Sequence, residues 1–533
     1  MPHAYGPDGV ELLELRVLDG PNRFFNRPAV KLEFGAPDPG TAAATAREAG
    51  EVARRLHLAL DLRSPRLTLR GSVDGLRAAV AYPWRRRAIA QSIGAAAARI
   101  ALGTSTERRE LRALRAVAMG PLVHLPSPRI PIVAVTGTNG KSTTTRLIAH
   151  IAREAGLRVG MTNSDGIYVR NELVEAGDWT GFGGAARILA EPGLQLAVLE
   201  TARGGILLRG IGYAANDVAV VTNVSADHLG LQGIDTVDEL AEVKAAIVRI
   251  TRRSGWAVLN ADDPLVWAMR RQTRARVYAF SLDRDSPEVA RALARGGRAA
   301  IVRDGEVVLL GAGRRMRRIA PIAELPVTFG GLASYNVANA LAAAAACDAL
   351  GLSSGRIAAG LRSFTLDTGV NPGRLNLYER RGTLVLIDFA HNEAGLKGLL
   401  EVARQLVAKR GKVRLAVGTA GDRTDEILFN LGALAGAGAD DVVICEKRHY
   451  LRGRDLKTMN ELLRAGAASG GYRREVKAYP SELSALQALV RRAKPGDLAA
   501  VMTHVERTEI ADWLASAGFT PVPLARLQAL LAS

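Results

Sequence analysis

Cysteine is almost missing from this 533-residue sequence: only Cys347 and Cys445 occur, each at the end of an apolar run. Two thiols build no disulfide framework and lack the spacing of a zinc site, so both are expected as small buried hydrophobes. Aromatic side chains are scarce too, at 5%, and few stand between the basic residues, where base stacking would need them. No stretch is apolar for long enough to span a bilayer. The opening MPHAYGPDGVELLELRVLDG scatters acids and prolines where a secretory signal needs a continuous apolar segment. The expectation is a cytoplasmic protein with no membrane partner.

What is abundant is packing material: 48% of residues are hydrophobic and 23% charged, a globular composition. The length calls for about two to four domains rather than one core. The formal net charge of +18 invites a nucleic-acid reading, but the basic groups are dispersed, as in Arg85 to Arg87, Arg108 with Arg109, and Arg314 with Arg315. A solvated arginine-rich surface comes first, and attraction of an acidic substrate second.

Residues 1 to 125 combine β-like runs, Glu11 to Leu18 and Ala29 to Phe34, with a helical stretch from Ala88 to Met119. Pro121, Pro126, Pro128 and Pro131 then mark a linker. Beyond it, short apolar runs end in polar turns and alternate with amphipathic segments, the rhythm of a parallel sheet wrapped by helices. Strands are predicted at Ile132 to Val135, Leu196 to Leu199, Val218 to Val221 and Ala257 to Leu259, with a helix from Ala333 to Leu350. A second series, Leu384 to Ile387, Val413 to Val417, Val442 to Ile444 and Leu498 to Met502, predicts a second α/β domain.

The sharpest motif is Thr136-Gly137-Thr138-Asn139-Gly140-Lys141-Ser142-Thr143, between an apolar strand and a helix. Glycines let backbone N–H groups close around phosphate oxygens, Lys141 can reach the outer phosphates, and Ser142 can ligate magnesium. Glu200 ends a buried strand, where open α/β sheets bind ligands, and is a candidate magnesium ligand. His228, in the run Thr222 to Gly230, follows a second strand end aimed at the same rim. Lys244 borders the apolar stripe Leu240, Val243, Ile247 and Ile250. On spacing alone, Lys244 is a snorkelling lysine.

The ordered set TGTNGKST at 136, ETARGG at 200, TNVSADHLG at 222, EVKAAIV around Lys244, NADDP at 260, YNVANALAA at 335, NPGRLN at 371 and DFAHN at 388 resembles the Mur ligase family. ETARGGILLRG, SADHLGLQG, GDRTDE and LRGR resemble the Mur-like half of cyanophycin synthetases. The likeness covers about residues 128 to 533. LELRVLDGPNRFFNRPAVKLEF also looks like the amino-terminal domain of those enzymes, which engages the growing polymer; the ATP-grasp domain that follows there is missing here.

The resemblance implies an α/β fold of Mur-ligase architecture. A small α+β domain at 1–125 would precede a P-loop central parallel-sheet ATPase domain at 128–371 and a Rossmann-like carboxyl-terminal domain at 372–533. It implies ATP and Mg2+ as cofactors, with Gly137, Thr138, Asn139, Gly140, Lys141, Ser142 and Thr143 around the triphosphate. Ser142, Glu200 and His228 would serve magnesium. Lys244 matches a lysine that many members carbamylate, Asn336 the residue that addresses adenine, and Arg374 and Asp388 groups that reach the nucleotide from the last domain. Tyr335 stands where members often have His, and Glu393 where proline is usual.

The implied reaction is ATP-dependent joining of a carboxylate to an amine through an acyl phosphate, releasing ADP. Lys141, His228, Lys244 and Arg374 would be its catalytic set. The partners would be an amino acid and an acidic, carboxylate-rich acceptor, small or polymeric, and domain closure would complete the site. In cyanophycin synthetase this half adds arginine to aspartate side chains. Two other readings stand beside this one: a Mur-type ligase for another acid, and an inactive nucleotide-binding scaffold that regulates a partner ligase. Nucleic-acid binding rests on charge alone and ranks below both. The sequence is compatible with a homo-oligomer and does not specify one.

Overall fold

The computed structural model describes residues 6, 9–127, 129–227, 229–311, 315–365, 369–407 and 410–532. The chain divides into two compact units, one made of 1–280, 286–298 and 345–351, the other of 281–285, 299–344 and 352–533. Among the described residues, no helix is long and apolar enough to cross a membrane. Both cysteines are buried.

The first unit begins with strands β1 (Glu11–Leu18), β2 (Ala29–Gly35), β3 (Thr68–Gly71) and β4 (Arg77–Pro83), which pair antiparallel in the order β1-β2-β4-β3. Helices α1 (Thr41–Ala59), α2 (Arg87–Ala101) and α3 (Glu107–Arg115) share its core, where Val30, Leu32, Phe34 and Val80 meet Leu56 and Ile93. The stretch of helical composition from Ala88 to Met119 thus forms two helices. Gly103 turns left-handed at φ +69 after α2, and the Thr106 hydroxyl caps α3 by accepting the Arg109 N–H. Composition alone overlooks the interruption; its signal is local, in Gly103-Thr104-Ser105-Thr106, a glycine of the kind that ends helices followed by hydroxyl residues of the kind that cap them.

The same unit continues with β5 (Ile132–Thr136), α4 (Lys141–Glu154), β6 (Val159–Thr162), β7 (Gly166–Val169), β8 (Glu172–Ala176), α5 (Phe182–Leu189), β9 (Leu196–Glu200), α6 (Arg203–Leu208), β10 (Asn216–Val221), α7 (Val237–Arg249), β11 (Thr251–Asn260), α8 (Pro264–Ala268), β12 (Arg276–Ser281) and α9 (Pro287–Ala294). Its strands run in the order β12-β11-β10-β5-β9-β6-β7-β8. The pairs from β12 to β6 are parallel; β7 and β8 add an antiparallel edge. Ile132, Val133, Ala134 and Val135 are all fully buried, as a strand covered on both faces requires.

The second unit holds the antiparallel strands β13 (Arg298–Arg303), β14 (Glu306–Leu310) and β15 (Met316–Pro321), most of α10 (Ser334–Ala349), and α11 (Ser354–Ser363). A further sheet follows, built from β16 (Asn376–Arg380), β17 (Thr383–Asp388), β18 (Val413–Val417), β19 (Asp441–Cys445), β20 (Ala478–Tyr479), β21 (Leu498–Met502) and β22 (Thr520–Pro521). Its order is β20-β19-β18-β21-β17-β16-β22, parallel from β20 to β17. Helices α12 (Glu393–Leu406), α13 (Asp425–Gly438) and α14 (Leu456–Ser469) cover one face. Helices α15 (Glu482–Arg492) and α16 (Arg507–Ser516) cover the other, and α17 (Leu524–Ala532) joins the first group. This is the Rossmann-like arrangement expected of the last domain.

Candidate active site

In the first unit the sheet delivers three neighbouring strand ends to one place. Val135 of β5 lies in register with Glu200 of β9, and Thr136 with Val221 of β10. From β5 the chain crosses to β6 on one side, and from β9 it crosses to β10 on the other. A crevice at the carboxyl ends of such strands is where α/β sheets take ligands.

The glycine loop between β5 and α4 is stitched to residues 222–225. Asn139 N–H donates to Asn223 Oδ1 (2.9 Å), Thr138 N–H to Asn223 O (2.9 Å), and Thr222 Oγ1 and Asn223 Nδ2 donate to Asn139 O (2.6 and 3.1 Å). Thr138 Oγ1 donates to Ser225 O (3.2 Å) and accepts from Ser225 N–H (3.0 Å). At Gly137, φ is +154 and a Cβ would sit 1.8 Å from Thr222 Oγ1, so no side chain fits. Gly140, at φ +81, opens α4. Lys141 curls over the loop with its Nζ donating to Thr138 O (2.8 Å), while Ser142 and Thr143 are buried in the first turn of α4.

A second layer holds the 222–225 segment. Asp263 Oδ2 accepts the Val224 N–H (2.7 Å) while its Oδ1 caps α8, and Asn260 Nδ2 donates to Thr222 O (2.8 Å). These residues explain the NADDP run: it clamps the segment that clamps the glycine loop.

Glu200 is 4% exposed at the end of β9. Lys244, also 4% exposed, donates from Nζ to Gly137 O at 2.6 Å. Burial pushes its ammonium far below the ordinary lysine range; the Lys141 cation and Arg203 add to the effect, and the Asp227 carboxylate opposes it. Lys141, Ser142, Glu200 and Lys244 thus share one rim. His228 lies outside the described residues.

The donors of this rim fit a nucleotide with its magnesium. A glycine that excludes any Cβ and a helix amino-terminus suit phosphate oxygens. The Ser142 hydroxyl and Glu200 carboxylate are hard oxygens of the kind magnesium shares with phosphates and water.

The second unit carries the other predicted residues. Arg374 lies with its guanidinium 4.1 Å from the centre of the Phe389 ring, a cation–π arrangement. Asp388 ends β17 and accepts the Leu375 N–H (2.9 Å) on Oδ2. Desolvation raises its carboxyl to about 6, against the pull of Arg374 and the Leu375 N–H. Leu375, at φ +53, is strained, and its turn is held by that carboxylate together with Asn376, which accepts the Gly373 N–H (2.6 Å) and donates to Asn371 O (3.0 Å). Asn392 caps α12 by accepting the Gly395 N–H (2.9 Å). Glu393, in place of the usual proline, opens that helix and accepts from Asn430 (2.8 Å). Asn336 is 3% exposed; its Nδ2 donates to Val327 O (2.8 Å) and its Oδ1 accepts from Asn339 (2.9 Å).

Residue spacing had not singled out Asn223, Asp227 or Asp263, nor the buried Glu482. That carboxylate pairs with Lys447 and accepts the N–H groups of His504, Val505 and Glu506, while His504 Nε2 lies 2.8 Å from Ala390 O. Asn223, Asp227 and Asp263 sit inside the quoted motifs, and that was the available signal; for Glu482 there was none.

The Mur ligase middle-domain model matches residues 135–347, and the Mur ligase glutamate ligase domain model residues 373–504. Cyanophycin synthetase of Synechocystis sp. is 45% identical over 318 residues, 60% of this chain and 36% of that one. The Geminocystis herdmanii enzyme is 40% identical over 373 residues, 70% of this chain and 42% of that one. The chain therefore spans about two fifths of the length of these relatives. UDP-N-acetylmuramoyl-L-alanyl-D-glutamate–2,6-diaminopimelate ligase of Geobacillus kaustophilus is 30% identical over 309 residues, 56% of this chain and 59% of that one. Among solved structures, E. coli FolC in complex with DHPP and ADP matches with TM-score 0.53 at 20% identity, over 73% of this chain and 89% of that one. A pseudomurein peptide ligase type C from Methanothermus fervidus matches with TM-score 0.51 at 19% identity, over 74% and 79%. With both of its ligase domains matched, the chain belongs to the Mur ligase family and resembles the Mur-like half of cyanophycin synthetase.

Proposed function

We propose that this protein is an ATP-dependent ligase that joins the carboxylate of an acidic acceptor to the amine of an amino acid. The observation that carries the reading is the glycine loop, closed to any side chain at Gly137 and set beside Glu200 at the end of the adjoining strand. A carboxylate is a poor acyl donor because oxide would have to leave. Its oxygen attacks the γ-phosphorus of ATP, the bond to the bridging oxygen breaks and ADP departs, leaving an acyl phosphate. The amine then attacks the carbonyl carbon, phosphate leaves with the bonding pair, and the amine gives up a proton to form the amide.

Lys141 and the loop amides would hold the triphosphate and Arg374 would meet charge on the transferring phosphoryl group. Ser142, Glu200 and His228 would hold magnesium, which supplies charge neutralisation at the phosphates when bound. Lys244 suits the carbamylation seen in related lysines, since burial favours the uncharged amine that adds carbon dioxide. Asp388 would hold Arg374 and its turn in place. The net charge of +18 favours an acceptor rich in carboxylates.

The test is ADP release over pooled amino acids with oligo-aspartate, β-aspartyl peptides and cell-wall precursors. Amine-dependent release with at least one acceptor, lost in Lys141→Ala, is expected. Release that survives Lys141→Ala would overturn the assignment of the nucleotide site.

A further inference from the structure

The segment DGPNRFFNRP, Asp19 to Pro28, has no part in the chemistry above. Its Asn22, 1% exposed, folds it into a fixed turn: Oδ1 accepts the N–H groups of Phe24 (2.9 Å) and Phe25 (3.0 Å), and Nδ2 donates to Gly20 O (2.9 Å) and Arg27 O (3.0 Å). The turn presents Arg23 to α7. Arg23 Nη2 donates to Glu239 Oε1 and Nε to Glu242 Oε2, each at 2.9 Å. The other oxygen of Glu239 accepts the N–H groups of Asp235 (2.8 Å) and Thr236 (3.1 Å), so the carboxylate that Arg23 grips also closes the capping box of α7.

The grip is returned from the far end of the helix. Arg249 Nη2 donates to Asn22 O (2.7 Å) and Arg23 O (3.1 Å). Alongside, Arg77 Nη2 reaches both oxygens of Asp235 (2.7 and 2.9 Å), and Arg70 pairs with Glu242. The amino-terminal layer therefore holds α7 at its start, middle and end. Lys244 stands on the same helix two residues after Glu242, with its Nζ on Gly137 O. That oxygen belongs to the rigid peptide whose N–H, from Thr138, is bound by Asn223 O. A shift of α7 would thus pull on one end of a peptide fixed at the other.

We propose that the amino-terminal layer is a working part of the nucleotide site, with Arg23 as a positioning residue that fixes the glycine loop through α7 and Lys244. The proposal rests on reading 136–143 as the nucleotide loop. An arginine suits the place because its planar fork sends two separate donors, Nη2 and Nε, to the two carboxylates in fixed directions, whereas a lysine brings a single ammonium on a flexible stem.

The test measures calorimetric binding of a non-hydrolysable ATP analogue with magnesium, and hydrogen exchange of the amides of residues 138–141 in the nucleotide-free chain. Arg23→Gln should weaken binding roughly three- to thirtyfold and speed exchange at 138–141, with Arg23→Lys recovering only part of each. Arg77→Asp should act in the same direction, and pairing it with Asp235→Arg should restore both readouts. Arg404→Gln removes a surface ion pair to Asp440 in the second unit and should leave both readouts unchanged. Binding within about twofold of wild type together with unchanged exchange in Arg23→Gln would overturn the inference. If Arg23→Gln fails to fold, the Arg77 and Asp235 swap decides alone. If wild type binds no nucleotide, the function proposed above falls, while the exchange measurement still decides whether Arg23 acts on the loop.

Discussion

In the first unit Glu200 ends a parallel strand beside a glycine loop whose backbone is tied by Asn223, Thr222 and Lys244. In the second unit Asp388 also ends a parallel strand, but its neighbour is a left-handed turn that carries Arg374 over Phe389. The first place is fixed by sterics at Gly137 and by hydrogen bonds to the loop backbone from Asn223, Thr222 and Lys244. The second is fixed partly through its acid: Asn376 ties Gly373 and Asn371, while Asp388, its carboxyl raised to about 6, holds the Leu375 N–H. On the function proposed above, a cradle for phosphate oxygens would need amides already in place, whereas an arginine meeting developing charge would need only its direction set. The two should therefore break differently, one to added atoms and the other to altered charge.

The sharpest break is Gly137→Ala. A Cβ there lands 1.8 Å from Thr222 Oγ1, and φ +154 is strained for any L side chain. Binding of an ATP analogue should fall at least about a hundredfold, and the melting temperature should drop, because a clash of this kind costs several kcal/mol, roughly 3 or more. Gly204 supplies the contrast within the neighbouring ETARGG run, since a Cβ there meets nothing within 4 Å. Gly204→Ala should bind and melt like wild type. Calorimetry and a thermal melt on both variants check the pair, and tolerance of Gly137→Ala would mean the loop is not the rigid cradle described.

The asymmetry also decides what could be read in advance. A glycine loop between an apolar run and an amphipathic helix is a local pattern, so β5, the loop and α4 stand in the sequence almost as in the structure. Glu200 was legible for the same reason, as the polar residue at the end of an apolar run. Asp263 was legible only as part of NADDP, because its work, holding the Val224 N–H, joins residues far apart in the chain. Lys244 illustrates the opposite error: helical spacing made it a snorkelling surface lysine, whereas its Nζ is turned inward onto Gly137 O. Periodicity assigns a residue to a helix face without showing what the face meets. The antiparallel edge β7–β8 went unpredicted, since short mixed runs such as ELVEA carry neither the apolar continuity of a buried strand nor a clean alternation; β13 to β15 went unpredicted too, although EVVLL of β14 carries an apolar run.

In the second unit, Arg374→Lys should separate direction from charge. The positive charge survives, but the planar group that stacks 4.1 Å from the Phe389 centre does not. Turnover in the ADP-release assay should fall roughly a hundredfold, as for loss of one preorganised donor to developing charge. Analogue binding should stay within about threefold, since the loop amides carry it. Equal losses in binding and turnover would show instead that Arg374 contributes to ground-state grip, and the contrast between the two places would disappear.

The smallest expected effect is the most specific to the second place. Asp388 ionises near 6 in the fold against an ordinary value of 3.8, so between those two values the folded protein binds more protons than the unfolded chain. Stability must then fall as pH rises through that window, the sign for an acid whose folded value is raised. Asp388→Asn keeps an acceptor for the Leu375 N–H while removing the ionisation, so its melting temperature should lose this part of the decline between pH 4 and 6.5. If Arg374 needs the ionised carboxylate beside it, wild-type turnover should climb through about pH 6 and the variant should show a flat, lower profile there. The first unit offers a control in Glu200→Gln, which should abolish turnover without moving that pH-dependent step in stability. A melting profile for Asp388→Asn that keeps the full wild-type slope would show that the titrating group lies elsewhere, and that the turn at Leu375 does not depend on the charge of its acid.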